Sequence, residues 1–193
     1  LKALATTDGT PVPMRKAVIR SDNGAVLGVV GNTYKPVQNK QAFEFLDAVV
    51  ADGSLRYHTA GAIGQGERIW LLAKLPDTIR VGNTDDLVEK FLLLSNTHDG
   101  STALRVYFTP IRVVCQNTLN LSERRAEGQG IAIMHKGDLF MKIAQAQQVL
   151  GLADTFFHNA AERINLLAKH SPTAEQLEGY FNELVPNPED GSV

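Results

Sequence analysis

Arg68, Trp70 and Lys74 fall at alternating positions of RIWLLAK, and Arg105 and Tyr107 alternate in LRVYF, so each set shares one face if its segment is extended. Arg56 and His58 are spaced in the same way, and so are Lys16 and Arg20. Cations alternating with aromatic rings suit single-stranded nucleic acid: guanidinium and ammonium groups hold phosphates while rings stack bases, without reading sequence. If the separate faces coincide on one sheet, Lys16, Arg20, Arg56, Arg68, Trp70, Lys74, Arg105 and Tyr107 form one binding surface. The competing arrangement is a half-buried sheet whose outer face is simply solvated, with Trp70 tucked against a helix. Periodicity within single strands does not decide between the two.

Other reactive side chains are poorly placed for catalysis. His98 and Asp99 are neighbours between two apolar runs; adjacent side chains in a turn diverge, and Asp99-Gly100 is a hairpin signal rather than half of a proton relay. Cys115 falls on the apolar face of a helix expected to begin at Thr109-Pro110, in its second turn, so a small buried residue is expected there and not a nucleophile. Asp85-Asp86 suits the first turn of a helix, where acids complement the dipole. The five histidines and single cysteine show none of the CxxC, HxxxH or HExxH spacings. No metal site, cofactor or catalytic residue is expected, and an enzyme ranks behind a binding protein. A GxxGxG run from Gly61 to Gly66 leads into a strand and not a helix, so it lacks the geometry that cradles a dinucleotide.

The bulk properties set the frame. A chain of 193 residues holds one substantial core, here expected as an α+β domain over 1–137 and a C-terminal helical segment over 138–193 that packs on the core or on a neighbouring subunit. With a net charge of −2 and 44% hydrophobic residues, neither disorder nor general polyanion binding follows from the totals. The charge is divided unevenly: residues 1–120 carry 13 Lys+Arg against 11 Asp+Glu, and residues 121–193 carry 6 against 10. One cysteine permits no intramolecular disulfide, and no stretch reaches the roughly 20 apolar residues that span a bilayer. No membrane role and a reducing, cytoplasmic location are therefore expected. The chain opens at Leu1 and not at Met, which points to a processed or truncated N-terminus.

The elements that must position these residues follow from punctuation and period. Asn23-Gly24 turns strands near 15–21 and 25–31 into a hairpin. NKQAFEFLDAVVADG spaces Phe43, Leu46 and Val50 on one helical face, with Asn39 as N-cap and Gly53 as stop. A second hairpin surrounds the glycine-rich loop, and a third, KFLLLSNT and STALRVYF, is turned by His98-Asp99-Gly100. PIRVVCQNTLNL follows as a helix, then the short apolar run IAIMH. Leu139, Ile143, Ala146, Leu150, Ala153, Phe157, Ala160, Ile164 and Leu167 alternate steps of four and three, the signature of a long helix packed along the domain or against another subunit. A last helix is expected over 173–184.

Several phrases together resemble a family of phage and plasmid-borne proteins, domain of unknown function 932: AVIRSDNGAVLGVVGNTYKPVQN, AFEFLDAVV, RIWLLAKLP, LLLSNTHDGSTALRVYFTPIRVVCQNTLN and the stretch from His135 into the long helix. The resemblance spans nearly the whole chain and carries over no catalytic residue. It implies a phage or plasmid setting, and with it DNA replication, recombination or evasion of host defence. The expected function is thus binding or annealing of single-stranded DNA by a homo-oligomer joined through helix 139–167; the alternative is a protein-binding module that antagonises a host factor.

Overall fold

The computed structural model describes residues 1–50, 55–125, 131–133 and 140–184. Strands β1 (Lys2–Ala5), β2 (Pro11–Ile19) and β3 (Val26–Gly31) pair antiparallel in that order. Gly24, at φ +74°, supplies the left-handed residue of the β2–β3 turn. Helix α1 (Asn39–Val50) leads into a five-stranded antiparallel meander: β4 (Arg56–Ile63), β5 (Arg68–Arg80), β6 (Leu87–Thr97), β7 (Leu104–Thr109) and β8 (Ile131–Ile133). Helix α2 (Gln116–Arg125) lies between β7 and β8, and α3 (Phe140–Ala168) and α4 (Ala174–Leu184) follow. The architecture is the expected α+β class, with its strands divided between two sheets.

Both faces of the larger sheet are covered. Leu71, Ala73, Leu92, Leu94, Val106 and Phe108 turn to a layer containing Ala42 and Leu46 of α1 and Ala153 and Phe157 of α3. Trp70, Leu72, Phe91, Leu93 and Tyr107 turn the other way, onto Val113 and Leu119. This is why Phe91, Leu92, Leu93 and Leu94 run on without a polar break: a strand between two layers must be apolar at every position. Each such side chain contributes about 1.5–3 kcal/mol when fully buried, so β6 anchors both layers. In α3, Phe156, Ala160, Ala161 and Ile164 also pack on the first layer, whereas Leu167 of the expected stripe is exposed. Leu139 lies outside the described residues, as do the side chains of Ile143, Ala146 and Leu150.

The small sheet meets the large one at the β6–β7 turn. A side chain at Gly28 would collide with the backbone of Asp99, and one at Gly100, itself at φ +80°, with Val30. Tyr34 donates its hydroxyl to the Thr97 carbonyl at 3.2 Å.

Three local expectations are corrected. The helix after β7 begins at Gln116 and not at Pro110, because Thr109 is still paired with Phe91 in the sheet and the β-branched run after it crosses the sheet face to bury Val113. Asp85 and Asp86 sit in the β5–β6 turn and not in a helix: Val81 N–H donates to the Asp86 carbonyl, and Arg80 pairs with Asp85 at 3.3 Å. Asn39 opens α1 without capping it. The Gln38 carbonyl accepts the first helical bond, from Ala42, and the Gln41 side chain accepts from Gln38 N–H, while Asn39 Oδ1 faces His98 Nε2 at 2.7 Å.

Candidate functional site

Register gathers most of the chemistry-bearing residues on one face of the large sheet. Ser95 lies opposite both Trp70 and Arg105, Leu93 opposite both Leu72 and Tyr107, and Lys74 opposite both Arg56 and Phe91. Partners across antiparallel strands share a face, so Arg56, Arg68, Trp70, Lys74, Arg105 and Tyr107 look the same way. That face is roofed by residues 110–125. Thr59 donates to the Val113 carbonyl at 3.0 Å, and the Thr109 and Ser122 hydroxyls meet at 3.2 Å. Trp70 is 5% exposed and Tyr107 3%. The aromatic surface expected from alternation is therefore corrected to a core layer: the indole lies flat on Gly61, where a Cβ would come within 2.6–2.8 Å of three ring atoms.

Under the roof, at the end of the face nearest the β6–β7 turn, sits a polar cluster. Arg68 pairs with Glu123 of α2 and donates to Asn120 Oδ1 at 3.0 Å; Ser95 donates to Glu123 at 2.8 Å. Arg68 Nε and the Tyr107 hydroxyl are buried with no hydrogen-bond partner among the described residues. Burial lowers the Arg68 pKa, and Arg105 adds to that, while burial raises the Tyr107 phenol well above the usual tyrosine range against the pull of Arg68 and Arg105. The ion pair locks α2 onto the sheet. Arg68 is thus spent on structure and has no groove to line.

The opposite end of the same face is open. Lys74 pairs with Glu89, and Glu89 is held below the usual carboxylate range first by that bond and then by the Lys74, His58 and Arg112 charges. The His58 ring tilts against Phe91 with centroids 5.2 Å apart. Arg56, in register with Lys74, is exposed, as is Arg112. Lys74, Arg112 and His58 thus gather around one carboxylate, with Arg56 beside Lys74. Among the described residues no group of three or more His, Cys, Asp or Glu is arranged to hold a metal.

Lys16 and Arg20 do not join this face. Lys16 is half-buried in the small sheet, opposite Val30, and Arg20 is tied to Asp22 at 2.6 Å and to the Gln65 carbonyl. His98 is buried, its backbone N–H donating to the Glu67 carbonyl at 2.6 Å, and the Asp99 carboxylate accepts from Ser101 N–H at 2.8 Å. Both serve the turn. Cys115 is corrected from a buried core residue to an exposed one at the start of α2, where bonds from the Thr118 and Asn117 groups lower its pKa. Sequence reasoning missed Arg112, Asn120 and Glu123. For Asn120 and Glu123 the signal was the polar tail of β6 from Ser95, which needs partners from a covering element if it is buried; Arg112 had none.

The chain belongs to the family described as Domain of unknown function (DUF932), whose model matches residues 26–192, from β3 through α4. No curated protein and no solved structure matches it. The family description carries no chemistry, so function rests on the geometry above.

Proposed function

We propose that the protein binds the phosphate backbone of nucleic acid, single-stranded DNA in the first place, through the open end of the large sheet's α2-covered face. Arg56, Lys74 and Arg112 hold phosphates there, with His58 beside them. The observation that carries this reading is the convergence of Lys74, Arg112 and His58 on one carboxylate, Glu89, with Arg56 in register with Lys74 and both arginines exposed. A phosphate oxygen competes with Glu89 for Lys74 and meets the two guanidiniums without displacing any core contact. Because Trp70 and Tyr107 are core, binding proceeds by charge and not by stacking, so it is indifferent to base sequence and strongly weakened by salt. Binding of this kind fits strand handling in replication or recombination inside a bacterial host. No helix among the described residues is long and apolar enough to cross a membrane.

The test is fluorescence anisotropy of labelled oligonucleotides at low salt. Replacing Arg56, Lys74 and Arg112 together with glutamine should weaken binding by at least about tenfold, a loss of some 1.4 kcal/mol, equally for all sequences. A protein-binding module instead has no oligonucleotide affinity at low salt, and that result would replace this reading.

A further inference from the structure

Helix α4 buries none of its residues. Its start is well made: Gln176 N–H donates to Thr173 Oγ1 at 3.2 Å and Thr173 N–H to Gln176 Oε1 at 2.9 Å, a reciprocal cap. Yet an isolated helix of 11 residues is marginal in water, because nucleation costs more than so few bonds return. Leu177, Tyr180, Phe181 and Leu184 are spaced to form one continuous apolar stripe, and on the last turns of α3 Leu166 and Leu167 stand beside it in sequence. All six are between 42% and 72% exposed, so neither helix covers the other within the chain. The charges differ between the two. Residues 171–184 carry Glu175, Glu178 and Glu183 and no basic residue, whereas Arg163, Lys169 and His170 flank the leucines of α3 against one acid, Glu162, which lies 3.5 Å from His158.

We infer that this face is the interface with a second copy of the chain: the acidic, apolar α4 of each copy lies across the basic, apolar end of α3 of the other. Charge complementarity between two faces that leave each other bare in one chain is what a twofold exchange satisfies, since each copy supplies both halves. The large apolar side chains of both stripes then leave water, and the glutamates meet the partner copy's basic helix end at the rim.

Sedimentation of the full chain without nucleic acid reads this directly and independently of the phosphate-binding reading. A dimer is expected at tens of micromolar, roughly where micromolar affinities populate the complex. Phe181→Asp and Leu167→Asp should each give monomers that lose at most the helical signal of α4 and keep the thermal transition of the sheets. Arg163→Glu should weaken the dimer and Arg163→Glu with Glu178→Arg restore it. A monomeric wild type overturns the inference, as does a dimer indifferent to Phe181→Asp. A monomer whose melting temperature falls on Phe181→Asp also overturns it, by showing that the stripe closes within the chain.

Discussion

Replacing Gly61 with alanine separates a core tryptophan from a binding one. Gly61 and Trp70 are partners across β4 and β5, and the new methyl would sit 2.6–2.8 Å from three atoms of the indole. Neither side yields easily: Gly61 lies within a strand, and the ring is clamped among Leu72, Phe91 and Val113. Overpacking of this kind costs about 1–3 kcal/mol. Trp70→Ala, which empties the site of a side chain only 5% exposed, should cost about 3–5 kcal/mol. Trp70→Phe withdraws the indole atoms that meet the methyl, so Gly61→Ala should cost less in that background, by a coupling of about 0.5–3 kcal/mol. Urea denaturation followed by far-ultraviolet circular dichroism reads the wild type and each variant without relying on tryptophan fluorescence. If Gly61→Ala costs the same in the wild type as in the Trp70→Phe background, or if Trp70→Ala leaves stability intact, the packing described here is wrong.

Three further outcomes are expected. Glu123→Leu strands the half-buried Arg68 guanidinium and should cost about 1–3 kcal/mol, whereas adding Arg68→Met should recover most of it, because a well-packed apolar pair can replace an ion pair sheltered from water; equal losses in single and double variants would refute the pairing. Tyr34 is raised to about 12, by burial first and by the Asp99 charge second. Its neutral form is therefore favoured on folding, and its contribution is intact below the unfolded pKa near 10 and lost as pH climbs toward 12; urea midpoints should fall over that window, less steeply in Tyr34→Phe, and parallel slopes would remove Tyr34 as a cause. Gly100→Val combines positive φ with a collision against Val30. It should destabilise by more than His98→Ala, which loses the contact to Asn39, and the reverse order in thermal melts would contradict the turn described here.

Much of the fold was legible in the chain because local chemistry dictates it. Asn23-Gly24 and Asp99-Gly100 mark where the chain turns between β2 and β3 and between β6 and β7, and the spacing of Phe43, Leu46 and Val50 specifies α1. Facing within each strand, Arg68 with Trp70 and Lys74 and Arg105 with Tyr107, also follows from alternation, since period two survives any twist of the sheet; that the two sets face the same way comes from their register with β6. Exposure of that face does not follow, because it depends on which element lands on it. The unbroken run from Phe91 to Leu94 carried the answer: a strand apolar on both sides is covered on both sides. Thr109-Pro110 misled for a related reason. Its helix-start chemistry is outweighed by the gain from burying Val113 and pairing Thr109, neither of which is local. The open cluster was half visible. Arg56, His58 and Lys74 could be named from spacing, whereas Arg112 reaches Glu89 only through the crossing segment, a placement that no periodicity encodes.

The salt dependence of oligonucleotide affinity tests the proposed function most directly. Each phosphate held on a single strand contributes about −0.7 to the slope of log K against log salt. The triple variant of Arg56, Lys74 and Arg112 should therefore flatten the wild-type slope by about 2, with the fold unchanged and with Trp70 emission insensitive to oligonucleotide in both proteins. An unchanged slope in the triple variant, or emission that shifts and quenches as DNA is added, would contradict the account.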